Sequence, residues 1–520
     1  MRKSLAIFLV LTLVVGIAFF GCKKKEPEMT TLVYATTESI TNMDTSNAYD
    51  FHTWELFQNI NVALLTYAPG TTDLIPGLAE SYTANDTADE YTFKLRPGLK
   101  FSDGTPFTAE AVKWSIDRVI ALEGDPSWLV VSFVDSVEVI DDLTVKFNLT
   151  GPVGFFPSLV ASVPYQPLNP AIYPEDRWIN DPEELEGGVL TGMGPYKLTS
   201  FKRDEELILD ANPNYYGEKP KIDRIVIRYF ADATTMRLAL EKGEVDLVYK
   251  TLNPSDIEDL AGMDEFKYYK MPGPYIRYLC FETSEGLFSD KRLRQAVAAL
   301  IDRQDIIDKV FLGQNEPLYS MVPNGMIYHT DEFKTELGDG NVELAEKLLA
   351  EAGYTAANPL EFELWYPPQH YGDTEVDMVE VMRVQFEKTP AVKVELKPAE
   401  WATYIANLDT KQMKVFTLGW YPDYIDPDNY TAAFASSDGS PGMGIYFSDP
   451  EWDALFVQEQ TSVDPAEREM VFEKMQKLWA DEVPTAPIFQ GNLHLFTKPN
   501  VGGVKIGPPL IFNYDQLFFE

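Results

Sequence analysis

From Thr31 onward the chain alternates between two hydrophobic periods. Leu32-Val33-Tyr34-Ala35 is an apolar run of strand length, and Phe51 to Leu65 places apolar residues at helical spacing. Tyr91-Thr92-Phe93-Lys94-Leu95 alternates with period two and stops at the turn Arg96-Pro97-Gly98. Thr108 as a cap, with Glu110 in the first turn, predicts a helix to Val119. Val137-Glu138-Val139-Ile140 and Thr144-Val145-Lys146-Phe147 flank Asp141-Asp142 and predict a hairpin. Residues 150–195 are proline-rich and read as loops. Ile225 to Tyr229 reads as a strand, and Thr234 to Lys242 as a helix stopped by Gly243.

A second block opens near residue 275. Tyr278 to Phe281, Leu360 to Tyr366, Val392 to Leu396 and Val415 to Gly419 read as strands. Asp290 to Phe311, Val342 to Ala352, Thr374 to Lys388 and Asp464 to Asp481 read as helices. Leu493 to Phe518 returns to short strand-like runs. Strand and helix alternating throughout define an α/β protein. There is no fixed-period repeat, and no flexible linker parts the blocks. Two lobes joined by short extended crossings, with a ligand closed between them by hinge motion, follow from this layout.

The first thirty residues follow a different logic. Met1-Arg2-Lys3 is basic, Ser4 to Phe20 is apolar, and Gly21-Cys22 follows. This is a secretory signal layout, at the short limit for a membrane span of about 17 residues. A Cys directly after the apolar run and a small residue resembles a bacterial lipoprotein processing site. The expectation is a signal peptide over 1–21, lipidation of Cys22 and a polar tether over 22–30. Phe20 departs from the small residue usual two places before the Cys.

Charge narrows the partners. Lys and Arg number 43 against 81 Asp and Glu, a formal net charge of −38. Nucleic-acid binding is excluded, since phosphate contacts need cations, and so is electrostatic adhesion to anionic lipid. Two Cys, one of them Cys22, leave no disulfide or Cys-rich metal site. No catalytic signature such as G-x-S-x-G, H-E-x-x-H or a Walker sequence is present. His52, His329, His370 and His494 are isolated, and Cys280 lies in an apolar strand pattern, so burial is expected for it rather than nucleophilic chemistry. Asp426-Pro427-Asp428-Asn429 resembles the start of a calcium loop but lacks its Gly and closing Glu, so a capping role is expected. No catalytic residues, no metal and no cofactor are expected.

Four segments carry a resemblance: Leu95 to Ala109 (LRPGLKFSDGTPFTA), Thr191 to Leu198 (TGMGPYKL), Phe288 to Val297 (FSDKRLRQAV) continuing to Ile301-Asp302-Arg303, and Gly419 to Asn429 (GWYPDYIDPDN). In order and spacing they resemble the family 5 extracellular solute-binding proteins, the peptide/nickel-binding components of ABC importers. The resemblance implies a bilobal periplasmic-binding-protein fold, class II, of the large type with an extra subdomain and a two-crossing hinge. Lobe I is expected over 31–275 and 488–520, with a subdomain inserted at about 70–215, and lobe II over 276–487. The crossings are expected near Pro272–Phe281 and Pro484–Phe489. The implied role is capture of an extracellular solute, chiefly oligopeptides, for delivery to permease subunits. The implied protein is a monomer lipid-anchored outside the cytoplasm.

In peptide-binding members a Trp-x-x-Asp loop lines the cleft and its Asp takes the ligand's α-ammonium. Trp420-Tyr421-Pro422-Asp423 matches it. The alternative is that Asp423 caps a turn and Trp420 is core. Dipeptide-specific members carry an Arg at the start of the helix after the middle-lobe strand. Here that region reads Asp373-Thr374-Glu375-Val376-Asp377, which argues against a tight dipeptide clamp. Members that bind oligosaccharides use aromatic faces, a role open to Trp365, Tyr366, Trp420, Tyr421 and Tyr424. Nickel is disfavoured. Arg277 and His370, near the expected hinge, are further candidate contacts.

Overall fold

A computed structural model describes residues 29–185, 187–372, 374–507 and 511–520. The signal segment, Cys22 and Asp373 lie outside the described residues.

The backbone of the fold is an 11-stranded mixed sheet shared by both lobes. One half runs Val392–Pro398, Leu360–Tyr366, Val415–Trp420. The other runs Leu247–Tyr249, Thr31–Thr36, Arg224–Tyr229, Glu206–Ala211, Tyr196–Lys202. Two long antiparallel strands, Lys267–Phe281 and Thr485–Thr497, join the halves. Each passes from one hydrophobic core into the other. Met271 and Leu493 pack with the first core, and Ile276 to Phe281, Ala486 and Ile488 with the second. Their pairing is interrupted between Pro272 and Ile276, where Pro272 and Pro274 have no N–H to donate. A separate four-stranded antiparallel sheet, including Glu90–Leu95 and the hairpin Val134–Asp141 with Thr144–Leu149, packs on the first core.

Most elements form where the periodicity places them, and the departures have local causes. The stretch from Asp290 to Phe311 is two helices, Lys291–Leu300 and Arg303–Val310. Ile301 is extended, and the Asp302 carboxylate caps the second helix by accepting from the Asp305 N–H. The helix from Phe51 ends at Ile60 rather than Leu65, because Asn61 turns extended and Leu65–Tyr67 pairs with Leu74–Pro76. Thr108 stands at the start of the helix Ala109–Leu122, but its hydroxyl makes no capping bond. The strand-like runs expected from Leu493 are the end of the strand Thr485–Thr497, buried along its whole length, and the short antiparallel pair Val501–Gly502 with Phe518–Phe519.

Cys280 is fully buried, and burial holds its thiol well above the ordinary value. The four His residues hydrogen-bond or stack: His52 with Tyr229, His494 with Tyr268, His329 with the Val322 carbonyl, and His370 flat on Trp401. No described helix is long and apolar enough to cross a membrane. The described residues contain no cluster of His, Cys, Asp and Glu arranged to hold a metal ion.

Candidate functional site

The strand Val415–Trp420 ends at the opening between the cores and releases the loop Tyr421–Asp426. Asn429 fixes that loop. Its Oδ1 accepts both from Trp420 Nε1 at 3.0 Å and from the Asp423 N–H at 3.2 Å. Behind it, Asp426 caps the short 3-10 turn Pro427–Tyr430 and takes both amino nitrogens of Arg468 at 2.9 and 2.6 Å. Arg468 also pairs with Glu459, and Gln460 donates to Asp428 at 2.9 Å. The tetrapeptide Asp426–Asn429 is therefore a cap and an anchor for the loop, in keeping with the capping role expected from its sequence.

In front, the loop reaches the first lobe. Tyr421 stacks between Phe51, at 4.6 Å, and Tyr275, at 5.0 Å. Tyr424 packs into the first core and hydrogen-bonds Asp428, whereas Tyr430 and Phe434, a few residues on, belong to the second core. The Gly154 N–H donates to the Gln460 carbonyl at 2.7 Å. The lobes are closed on each other along this loop.

Between them lies a narrow cleft with a cavity volume of about 30 Å³, room for about two water molecules in this closed arrangement. One wall is the face of the helix Phe51–Ile60 formed by Phe51, Trp54, Glu55 and Gln58; the opposite wall is Pro422 to Ile425. Ser158, Ser162 and Tyr67 line the remainder, with Ile511 from the C-terminal segment.

Asp423 is the chemically loaded group of this cleft. It is 6% exposed, and its Oδ2 has no hydrogen-bond partner. Burial pushes its carboxyl up to about 7, partly offset by the neighbouring Tyr49 and Asn429 side chains. A buried carboxylate with a free oxygen is costly unless a cation joins it. Glu55, the other acid of the cleft, is already engaged: it accepts from the Tyr514 hydroxyl at 2.6 Å and pairs with Lys250 at 3.0 Å.

The structure places Asp423 and Tyr424 on the cleft wall, with Tyr421 beside it, packed against Phe51. Trp420 packs edge-on against Phe434 in the second core and serves the loop through Asn429. Trp365 lies outside the cleft lining, its indole N–H on Glu363 at 3.0 Å. Arg277 is buried, pairs with Glu375 and is capped by the Tyr371 ring at 3.5 Å. His370 is held neutral, at about 4, by burial and by the charge of Arg277. Glu55, Tyr49 and Lys250 are not singled out by the sequence, and Asn429 is read there only as part of the Asp426–Asn429 cap. A signal existed for one of them: Glu55 sits among Phe51, Trp54 and Gln58 at i, i+3, i+4 and i+7, an acid on an otherwise cleft-facing helix stripe.

Two lobes, a two-strand hinge and an enclosed cleft with one unsatisfied carboxylate define a bilobal ligand-binding protein. The model of the bacterial extracellular solute-binding proteins, family 5 middle, matches residues 73–442, and the chain belongs to that family. It is 25% identical over 460 residues to the probable D,D-dipeptide-binding periplasmic protein DdpA of Escherichia coli, covering 86% of each chain. It is 27% identical to heme-binding protein A of Haemophilus influenzae, covering 89% of this chain and 86% of that one. Among solved structures, the periplasmic binding protein DppA of Helicobacter pylori, in complex with the peptide STSA, superposes with a TM-score of 0.78 at 22% identity, covering 95% of this chain and 99% of that one.

Proposed function

We propose that this protein is the substrate-binding component of an ABC importer and that it captures oligopeptides between its lobes for delivery to a membrane permease. The reading rests on Asp423, a buried carboxylate with an open oxygen on a rigid loop inside a closed cleft. A peptide α-ammonium supplies the missing cation, and the charge-assisted bond gains strength from the low-dielectric surroundings. Peptide-binding relatives and a peptide-bound structural neighbour support the same reading. Cargo binding shifts the lobes toward the closed state in proportion to its preference for that state. The chain works as a monomer, held outside the cytoplasm by lipid on Cys22, and performs no catalysis.

The test is mass spectrometry of whatever co-purifies with the mature chain and is released by denaturation. Peptides of mixed sequence, lost from Asp423→Ala, are expected. Hexose oligomers or haem as the retained cargo would overturn the peptide reading.

A further inference from the structure

The two long strands that join the lobes do not pair evenly. Pro272 stands opposite Asn492 and Ile276 opposite Gln490, so Gly273, Pro274 and Tyr275 together face the single residue Gly491. A bulge of this kind re-aims a side chain, and glycine in a strand lets another group come close to the backbone. Both effects are present here. A Cβ at Gly273 would lie 2.7 Å from the Gly491 carbonyl oxygen. A Cβ at Gly491 would overlap the Tyr275 ring at Cζ, Cε2 and the hydroxyl oxygen. The Tyr275 ring thus fills the space that any other residue at 491 needs for its first side-chain carbon.

Each residue of the bulge is tied to something else. The Gly273 carbonyl accepts from Gln490 Nε2 at 2.7 Å, on the partner strand. The Pro274 carbonyl accepts from the Tyr430 hydroxyl at 2.6 Å, just past the end of the loop Tyr421–Asp426. Tyr275 stacks on Tyr421, the first residue of that loop, with ring centroids 5.0 Å apart and planes 21° apart. Tyr421 stacks in turn on Phe51 of the first lobe. Tyr275 packs against both hydrophobic cores. The bulge therefore holds the loop near both of its ends, and it does so from a strand that both lobes share.

We propose that Tyr275 and Gly491 are positioning residues that couple the hinge to the loop Tyr421–Asp426. Tyr275 is seated on Gly491 and supports Tyr421, so a change in the angle between the two strands moves Tyr275 and carries the start of the loop with it. Gly491 acts by having no side chain. Neither residue lines the cleft. The coupling holds whatever the cargo is, and its test needs none, so the peptide reading and this inference stand or fall separately.

The test is amide hydrogen exchange, read by mass spectrometry, on the unliganded mature chain. The proteins are wild type, Gly491→Ala, Tyr275→Ala, Tyr275→Phe and the double variant Gly491→Ala with Tyr275→Ala. Amides of 415–430 report on the loop, and those of the hairpin Val134–Asp141 with Thr144–Leu149 report on a distant region. Gly491→Ala and Tyr275→Ala should each speed exchange in the loop by about tenfold or more and leave the hairpin unchanged. Tyr275→Phe keeps the ring and should exchange as wild type does. Once Tyr275→Ala has removed the ring, Gly491→Ala has nothing to displace and should add less than about twofold. Unchanged loop exchange in Gly491→Ala overturns the inference. So does a further tenfold acceleration in the double variant over Tyr275→Ala, or an acceleration that reaches the hairpin equally. Should Gly491→Ala fail to fold, folding of the double variant supports the inference, and failure of both overturns it.

Discussion

Tyr424 lies flat on Phe155, ring centroids 5.3 Å apart and planes within 1°. This pair joins the loop Tyr421–Asp426 to the opposite lobe. One residue before Phe155, Gly154 comes so close to the second lobe that an added Cβ would lie 2.2 Å from the Ser462 carbonyl oxygen. Gly154→Ala therefore obstructs closure without touching the cleft lining. Overpacking of this kind costs roughly 1–3 kcal/mol, or on the order of 10–100-fold in peptide affinity. Small-angle scattering checks it: saturating peptide contracts the wild type and leaves the variant unchanged. Contraction of both would remove Gly154 from the closure seam.

Affinity for an amine ligand should follow two titrations. Asp423, at about 7, must be ionised, and the ligand's α-amine, with an ordinary value of about 7.7–8.0, must be protonated. Binding is tightest between these values. At two pH units below the Asp423 value only about 1% of it is ionised, so affinity near pH 5 falls on the order of 50–100-fold. Calorimetric titration across pH reads this directly, and a flat profile from pH 5 to 8 would sink the assignment.

The same carboxylate has a consequence for stability. Its folded value is raised above the ordinary 3.8, so the folded, ligand-free state prefers it protonated. That contribution is present below about pH 4 and is lost as the pH rises through 7. Asp423→Asn removes the penalty. The ligand-free variant should be more stable than wild type above pH 7, by a ceiling on the order of 4 kcal/mol, with the difference fading toward pH 4. Urea denaturation at pH 4.5 and 8 measures it, and equal gains at both values would contradict the account.

Asn429 carries the loop geometry. Asn429→Ala leaves Trp420 Nε1 and the Asp423 N–H without their acceptor. Each unsatisfied buried donor costs about 1–3 kcal/mol. Peptide affinity should fall tenfold or more, although Asn429 is not among the residues lining the cleft, and Trp420 fluorescence should shift as its indole loses its partner. An unchanged spectrum and affinity would show that the loop holds itself.

The Arg277–Glu375 pair should behave as a buried ion pair. Arg277→Met and Glu375→Leu each strand one charge and should cost roughly 3–5 kcal/mol, whereas the double variant should be close to neutral. Denaturant titration of the four proteins gives the coupling. Additive losses would mean that the two groups do not act together.

Much of this protein was legible in its sequence. The alternation of strand and helix gave the α/β class, Leu360 to Tyr366 is a strand at both ends as read, and Trp420-Tyr421-Pro422-Asp423 pointed to the loop that presents Asp423. What escaped was long-range. Nothing near residue 277 says that Arg277 will meet Glu375, or that Lys250 will sit between Glu38 and Glu55, because the partners are far apart in the chain and come together only in the folded sheet. The break at Ile301 escaped for the opposite reason: the apolar spacing ran through it, and a single Asp cap outweighed the pattern.

The C-terminal segment gives the site one more property. Ile511 forms part of the cleft wall, the Tyr514 hydroxyl donates to Glu55, and Asn59 binds the backbone of both Phe512 and Tyr514. The helix that carries Phe51, Trp54 and Glu55 thus waits for chain made about 450 residues later. A chain lacking that segment has its cleft unfinished, so competence to hold cargo depends on residues far from the helix in sequence.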